Sequence, residues 1–182
     1  YPLTKAMAED RVIAANSPSL TTVVVRPRFI WGKDDTTILP RLVKSVKDGQ
    51  FSWIAEGKYL TSTCHVRNVC EGMILAAERG RGGEVYFLTD GKPIEVREFF
   101  TKLLQTQGLD PGSKNLPRWL AKIIASGIEA FWKFSHIQME PPITKTALKL
   151  MGEEVTVNDS KARRELGYNS PVTIEAGLAE MK

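Results

Sequence analysis

The chain opens on a tyrosine and a lysine four positions apart, Tyr1-Pro2-Leu3-Thr4-Lys5. On a helix, positions i and i+4 share a face, so the phenol of Tyr1 and the ammonium of Lys5 are neighbours. A free tyrosine titrates near pH ~10 and exchanges protons poorly at neutral pH. A cation held close by favours the phenolate and draws that pKa toward the working range. Such a pair can give or take the proton of an alcohol or ketone while a hydride moves elsewhere, which is general acid–base chemistry. The spacing by itself is not diagnostic, because solvated surface helices carry Tyr-x-x-x-Lys by chance. Its meaning rests on the elements that hold it.

Residues 1–16 place Leu3, Met7 and Val12 at helical spacing, and Asn16-Ser17-Pro18 stops that helix. Leu20-Thr21-Thr22-Val23-Val24-Val25-Arg26 is a short β-branched run, which predicts a strand buried on both faces as in a parallel sheet. Pro27 ends it and Arg28-Phe29-Ile30-Trp31-Gly32 follows. Asp34-Asp35 with Thr36-Thr37 cap a helix over about 37–48. Short strands are expected at 51–54 and 60–63 around a turn at Glu56-Gly57-Lys58. A helix runs from Val66 to Arg79, and Gly80–Gly83 is a plain turn. It lies between a helix and a strand, the wrong order for a phosphate loop. A strand at 84–89, a turn at Asp90-Gly91 and an amphipathic helix over 95–107 come next.

Residues 116–134 set Leu116, Leu120, Ile123, Ile124, Phe131 and Phe134 against Arg118, Lys122, Glu129 and Lys133 at the same period. The charges exclude a membrane span. A helix packed on the domain or over a substrate pocket is the first reading, and a peripheral membrane-surface helix the second. A helix over 142–151, a strand at 154–157, a helix capped by Asp159 and a final helix over 174–181 complete the chain. The alternation predicts an α/β fold.

The 182 residues are 42% hydrophobic and 25% charged, as expected of a globular chain. The net charge of +4 is spread among carboxylates and forms no nucleic-acid stripe. Cys64 and Cys70 read as reduced thiols in a cytoplasmic protein. His65 and His136 stand apart without a ligand cluster, so no metal site is expected.

Five stretches occur in a family's order. They are Tyr1-x-x-x-Lys5, Val25-Arg26-Pro27 running into Ile30-Trp31-Gly32, His65-Val66-Arg67-Asn68-Val69, Glu84–Phe87, and Asp159-Ser-Lys-Ala-Arg-Arg-Glu-Leu-Gly-Tyr168. Over nearly its whole length the chain resembles the C-terminal portion of an extended short-chain dehydrogenase/reductase. Within the epimerase/dehydratase superfamily it is most similar to the 3β-hydroxysteroid dehydrogenase-like branch. That resemblance implies the C-terminal part of a Rossmann-like doubly wound parallel sheet, interleaved over 1–182 with a small α/β substrate lobe. The dinucleotide-binding half, with its glycine-rich loop and catalytic Ser/Thr, would lie upstream, and the chain alone would be inactive.

The resemblance further implies NAD or NADP as cofactor, Tyr1 as acid/base, and Lys5 as its activator and ribose ligand. Pro27, Phe29 and Ile30 would line the nicotinamide, outside the carboxyl end of the strand where ligands of open parallel sheets sit. Trp31 would begin the substrate wall. His65 and Asn68 would tie the substrate lobe to the sheet, His65 as a buried structural group, and Arg67 would be a rim charge.

An apolar Phe29-Ile30-Trp31 wall cannot compensate the desolvation of a diphosphate but suits a fused-ring or isoprenoid alcohol. The expected activity is therefore hydride transfer to or from a hydrophobic, sterol-like secondary alcohol or ketone. A nucleotide-sugar epimerase or dehydratase is the enzyme alternative, and a non-catalytic binding module the alternative from another class. A homodimer is compatible with these residues.

Overall fold

A computed structural model describes residues 2–135 and 152–182. In chain order the elements are α1 (Pro2–Ala14), β1 (Val24–Pro27), β2 (Ile30–Trp31), α2 (Ile38–Lys47), β3 (Trp53–Ile54), a 3-10 turn (Ala55–Gly57), β4 (Leu60–Thr61) and β5 (Cys64–His65). They continue with α3 (Val66–Arg79), β6 (Val85–Leu88), β7 (Ile94–Glu95), α4 (Val96–Gln105), β8 (Asn115–Leu116), α5 (Arg118–Ser135), α6 (Ser160–Leu166) and α7 (Ile174–Ala179). The helix expected over 142–151 lies outside the described residues.

The chain divides into two compact units. The first comprises Tyr1–Asp34, Ser62–Pro93 and Thr156–Lys182. Its strands pair in parallel, β1 with β6 from Val24↔Val85 to Pro27↔Leu88, and β2 with β5 at Ile30↔Cys64 and Trp31↔His65. Parallel neighbours need a crossover, and α3, between β5 and β6, packs on β6. The approach is so close that a Cβ on Gly72 would stand 2.3 Å from Leu88 Cδ1, so a larger residue there would force the buried Leu88 side chain to shift. Cys64, Val69, Leu75, Tyr86, Leu88, Leu166 and Tyr168 form the core beneath. Gly167, in the left-handed region at φ 74°, ends α6.

β1 is shorter than the β-branched run predicts and is only half-buried, with Arg26 exposed. Among the described residues it pairs with β6 and with no other strand, so one edge is open. The run at 154–157 forms no extended strand; Val155 makes one parallel bridge to Thr61.

The second unit is Asp35–Thr61 with Ile94–Val155. Asp35 starts α2 by accepting from the backbone N–H groups of Thr37, Ile38 and Leu39 at 2.7, 3.1 and 3.0 Å. Burial works to raise its pKa, but these donors outweigh it and hold the carboxyl below its usual range. β3 pairs with β8 and β4 with β7, so the two strands flanking the 3-10 turn do not pair with each other. α4 buries Val96, Phe99, Phe100, Leu103 and Leu104 as its period requires. In α5 the reverse holds: Ala121 and Ala125 are buried, whereas Ile123 and Ile124, expected to pack inward, are exposed.

Candidate active site

The direction of α1 decides where Lys5 sits. The Asn16 side chain, just past the helix, accepts from Thr22 N at 3.1 Å, ahead of β1. Seven residues earlier, Glu9 accepts from Arg26 Nε at 2.8 Å, near the strand's end. Helix and strand therefore run antiparallel. Lys5, a further turn along and ~6 Å beyond Glu9, reaches the level of the β1 exit. It is solvent-exposed there. The Arg26 pair also holds the Glu9 carboxyl below its usual pKa, chiefly through the hydrogen bond. Tyr1 lies outside the described residues.

At that exit Pro27 is half-buried and Arg28 N donates to Leu88 O at 3.3 Å. Phe29 adopts φ +40°, rare for a residue with a Cβ, and its carbonyl accepts from Cys64 N at 3.1 Å. Backbone held in a sparsely populated region by its surroundings is a recurrent mark of ligand sites. Ile30, next in line, is 45% exposed. The structure thus brings Lys5, Pro27, Phe29 and Ile30 to one end of the β1 strand.

Trp31 does not join them. It is 2% exposed, and its indole N–H donates to Asp90 Oδ2 at 2.7 Å. Its ring meets His65 edge-on at 4.9 Å. The side chain expected to begin a substrate wall is thus enclosed within its own unit.

Asp90 is the centre of this enclosure. Oδ2 also accepts from Thr63 Oγ1 at 2.8 Å, while Oδ1 accepts from His65 N at 2.6 Å and Asn68 Nδ2 at 2.7 Å. Asn68 in turn exchanges hydrogen bonds with the Val172 backbone, at 2.8 and 2.9 Å. A residue read from sequence as half of an Asp-Gly turn is therefore the acceptor that joins the ends of β2, β5 and β6. Nothing local in the sequence signals this, because its partner Trp31 is 59 residues away.

The remaining titratable groups here are structural. His65 is 1% exposed and its Nδ1 accepts from Arg67 N at 3.3 Å, capping α3. Burial lowers its pKa, against the opposing pull of Asp90 and Glu180. Burial raises the Cys64 thiol to about 12, which rules out a thiolate nucleophile. Tyr168 is pushed up by burial as well, and its phenol donates to Thr89 O at 2.8 Å. Asp159, expected as a helix cap, makes no side-chain cap bond. It accepts instead from Thr89 Oγ1 at 2.7 Å and from Arg163 at 3.0 and 2.8 Å. Arg67 bridges to Glu180 at the surface at 2.5 Å. Among the described residues no group of three or more His, Cys, Asp or Glu could hold a metal ion.

A parallel α/β unit with a strained exit at the carboxyl end of a strand is the arrangement in which open α/β sheets place their ligand sites. The model of the 3-beta hydroxysteroid dehydrogenase/isomerase family matches residues 1–118, and the chain belongs to that family. It is 55% identical over 182 residues to the 4-hydroxy-2-methyl-3-oxo-4-farnesyl-3,4-dihydroquinoline-1-oxide ketoreductase of Stigmatella aurantiaca, covering 100% of this chain and 54% of the relative. It is 31% identical to the decarboxylating sterol-4-alpha-carboxylate 3-dehydrogenase of Dictyostelium discoideum, again over 100% of this chain and 56% of the relative. A double mutant of the dTDP-glucose 4,6-dehydratase DesIV from Streptomyces venezuelae, solved with NAD bound, superposes with a TM-score of 0.67 at 21% identity, covering 100% of this chain and 49% of that one. That last likeness establishes a Rossmann-type fold. The chain spans about half the length of the curated relatives it matches.

Proposed function

We propose that this chain is the acid–base and substrate portion of an NAD(P)-dependent reductase acting on a hydrophobic ketone or secondary alcohol. The observation that carries the reading is the convergence of the exposed Lys5, the Phe29 backbone at positive φ and the exposed Ile30 at one end of β1. The name of the Stigmatella relative, a ketoreductase of a farnesylated dihydroquinoline oxide, supports a fused-ring or isoprenoid ketone as the substrate class.

The residues present fit one side of a nicotinamide site: an exposed cation, an apolar side chain and a fixed backbone turn. They do not include a glycine-rich phosphate turn ahead of a helix, which we assign to residues outside these 182. A nicotinamide held beside Pro27, Phe29 and Ile30 would supply the hydride chemistry at the carbonyl carbon. Tyr1 delivers its phenolic proton to the carbonyl oxygen, leaving a phenolate, and takes a proton back in the reverse direction. Lys5 stabilises that phenolate and donates to the ribose hydroxyls. Pro27, Phe29 and Ile30 keep water from the reacting carbon.

The test is a turnover assay on protein that includes an upstream nucleotide-binding half. Reduced-cofactor consumption with a prenylated quinolone or a 3-ketosteroid, and none with a dTDP- or UDP-sugar, is the expected outcome. Turnover of the sugar nucleotide alone overturns the reading.

A further inference from the structure

α1 carries Lys5 to the β1 exit, yet the helix has little apolar hold on the sheet. None of its residues is buried, and Leu3, Met7 and Val12 are 71%, 47% and 42% exposed. A helix is ordinarily registered on its neighbours by a buried apolar stripe, which α1 lacks among the described residues. Glu9 and Ile13 are half-covered and share a face with Lys5 at helical spacing, so this face is the one turned to the strand. Beyond the helix, the Asn16 side chain accepts from Thr22 N at 3.1 Å and ties down the far end. That tie lies roughly 15 Å from Lys5 along the axis. A tilt of about 4° around it carries Lys5 by ~1 Å, and a misplacement of that size can cost about 10²-fold in rate.

A side-chain pair crosses from this face to the strand. Arg26 donates to both oxygens of the Glu9 carboxylate, from Nε to Oε2 at 2.8 Å and from Nη2 to Oε1. This is the fork in which a guanidinium meets a carboxylate, and it fixes orientation as well as distance. Arg26 is itself held: it stands opposite Phe87 in the β1–β6 register, and its guanidinium lies 5.3 Å from the centre of the Phe87 ring. The hydrogen bond keeps the Glu9 carboxyl below its ordinary pKa and the Arg26 guanidinium above its own, so both stay charged. Accessible ion pairs add little stability. What this one sets is register, because Lys5 is one turn from Glu9 and the exit begins at Pro27, directly after Arg26.

We propose that Glu9 and Arg26 are positioning residues, a clamp that sets Lys5, and through it the Tyr1 phenol, against the Pro27–Ile30 backbone. The role rests on the proposed reaction, in which Lys5 stabilises the Tyr1 phenolate. Neither member of the clamp exchanges a proton. They hold the distance on which that stabilisation depends.

The experiment follows kcat for ketone reduction against pH in the full-length wild type, Glu9→Gln, Arg26→Lys and Tyr1→Phe. Reduction needs the protonated phenol, so kcat falls as pH rises through the phenol's midpoint. Removing a nearby carboxylate would, by charge alone, favour the phenolate and move that midpoint down. Releasing Lys5 moves it up. Glu9→Gln should therefore raise the midpoint by about one pH unit and lower kcat about 10–100-fold, with the KM for the ketone within about threefold. Arg26→Lys keeps every charge but loses the fork, and should shift the midpoint the same way by less. Unfolding midpoints should stay near the wild type's. A midpoint that is unmoved or lowered in Glu9→Gln overturns the clamp, whatever happens to kcat. Should that variant not fold, an unmoved midpoint in Arg26→Lys overturns it instead. Near-wild-type turnover in Tyr1→Phe overturns the proposed function and the clamp with it; collapse there beside an unshifted Glu9→Gln profile overturns the clamp alone.

Discussion

Two neighbouring regions of the first unit use their polar groups in opposite ways. Around Asp90, the ends of β2, β5 and β6 are bound into a closed set in which one carboxylate accepts four hydrogen bonds. Along α1 and the β1 exit, Lys5 and Ile30 face outward and no residue of the helix is buried. The first arrangement fixes backbone at the carboxyl end of the strands. The second sets an exposed cation and an exposed apolar side chain at that end. Rigidity behind and availability in front are what a positioned acid–base pair requires.

The largest effect is expected where the closed set is opened. Asp90→Ala leaves the Trp31 indole, Thr63, His65 N and Asn68 without their acceptor. Each buried donor left unpaired costs ~1–3 kcal/mol, so a loss on the order of 4 kcal/mol is expected in urea unfolding. A loss below about 1 kcal/mol would show that the set is not the structural centre.

A smaller effect tests its packing. A Cβ on Gly177 would lie 2.7 Å from Trp31 and 2.8 Å from His65, both enclosed, so Gly177→Ala should cost about 1–3 kcal/mol. Equal stability would mean that α7 can shift away.

The smallest effect is a pH dependence. Burial depresses the His65 pKa in the folded protein. As pH falls through ~6.5, the unfolded chain binds a proton that the folded one resists, and stability declines. Above that range both forms are neutral and the contribution is flat. His65→Asn keeps a capping oxygen but cannot titrate there, so its stability should fall less on acidification than the wild type's. Parallel curves would assign the acid loss to other groups.

The two regions also differed in how far sequence could describe them. The exposed one was largely legible. A periodic helix, a β-branched run and a proline exit are local signals, and α3 ended at Gly80 as its punctuation indicated. The enclosed one was not, because it is made by contacts remote in sequence. Trp31 after a strand exit looks the same whether it meets substrate or Asp90, and two-residue strands such as β2 and β5 are too short to show a period. For α5 the periodicity gave the helix but left two readings of its apolar stripe; among its described side chains Ala121 and Ala125 are buried and Ile123 and Ile124 exposed. The β1 run was read as buried on both faces, yet it is only half-buried, and among the described residues it pairs with β6 alone.

The central claim, that Tyr1 and Lys5 do the proton chemistry on a surface that stability does not depend on, is tested most directly by paired measurements on Tyr1→Phe and Lys5→Met in the full-length enzyme. Turnover with a hydrophobic ketone should fall by roughly 10²–10⁴-fold in Tyr1→Phe, with a large loss in Lys5→Met, while unfolding free energies stay within about 0.5 kcal/mol of wild type. Turnover within a few-fold of wild type in either variant would contradict the account.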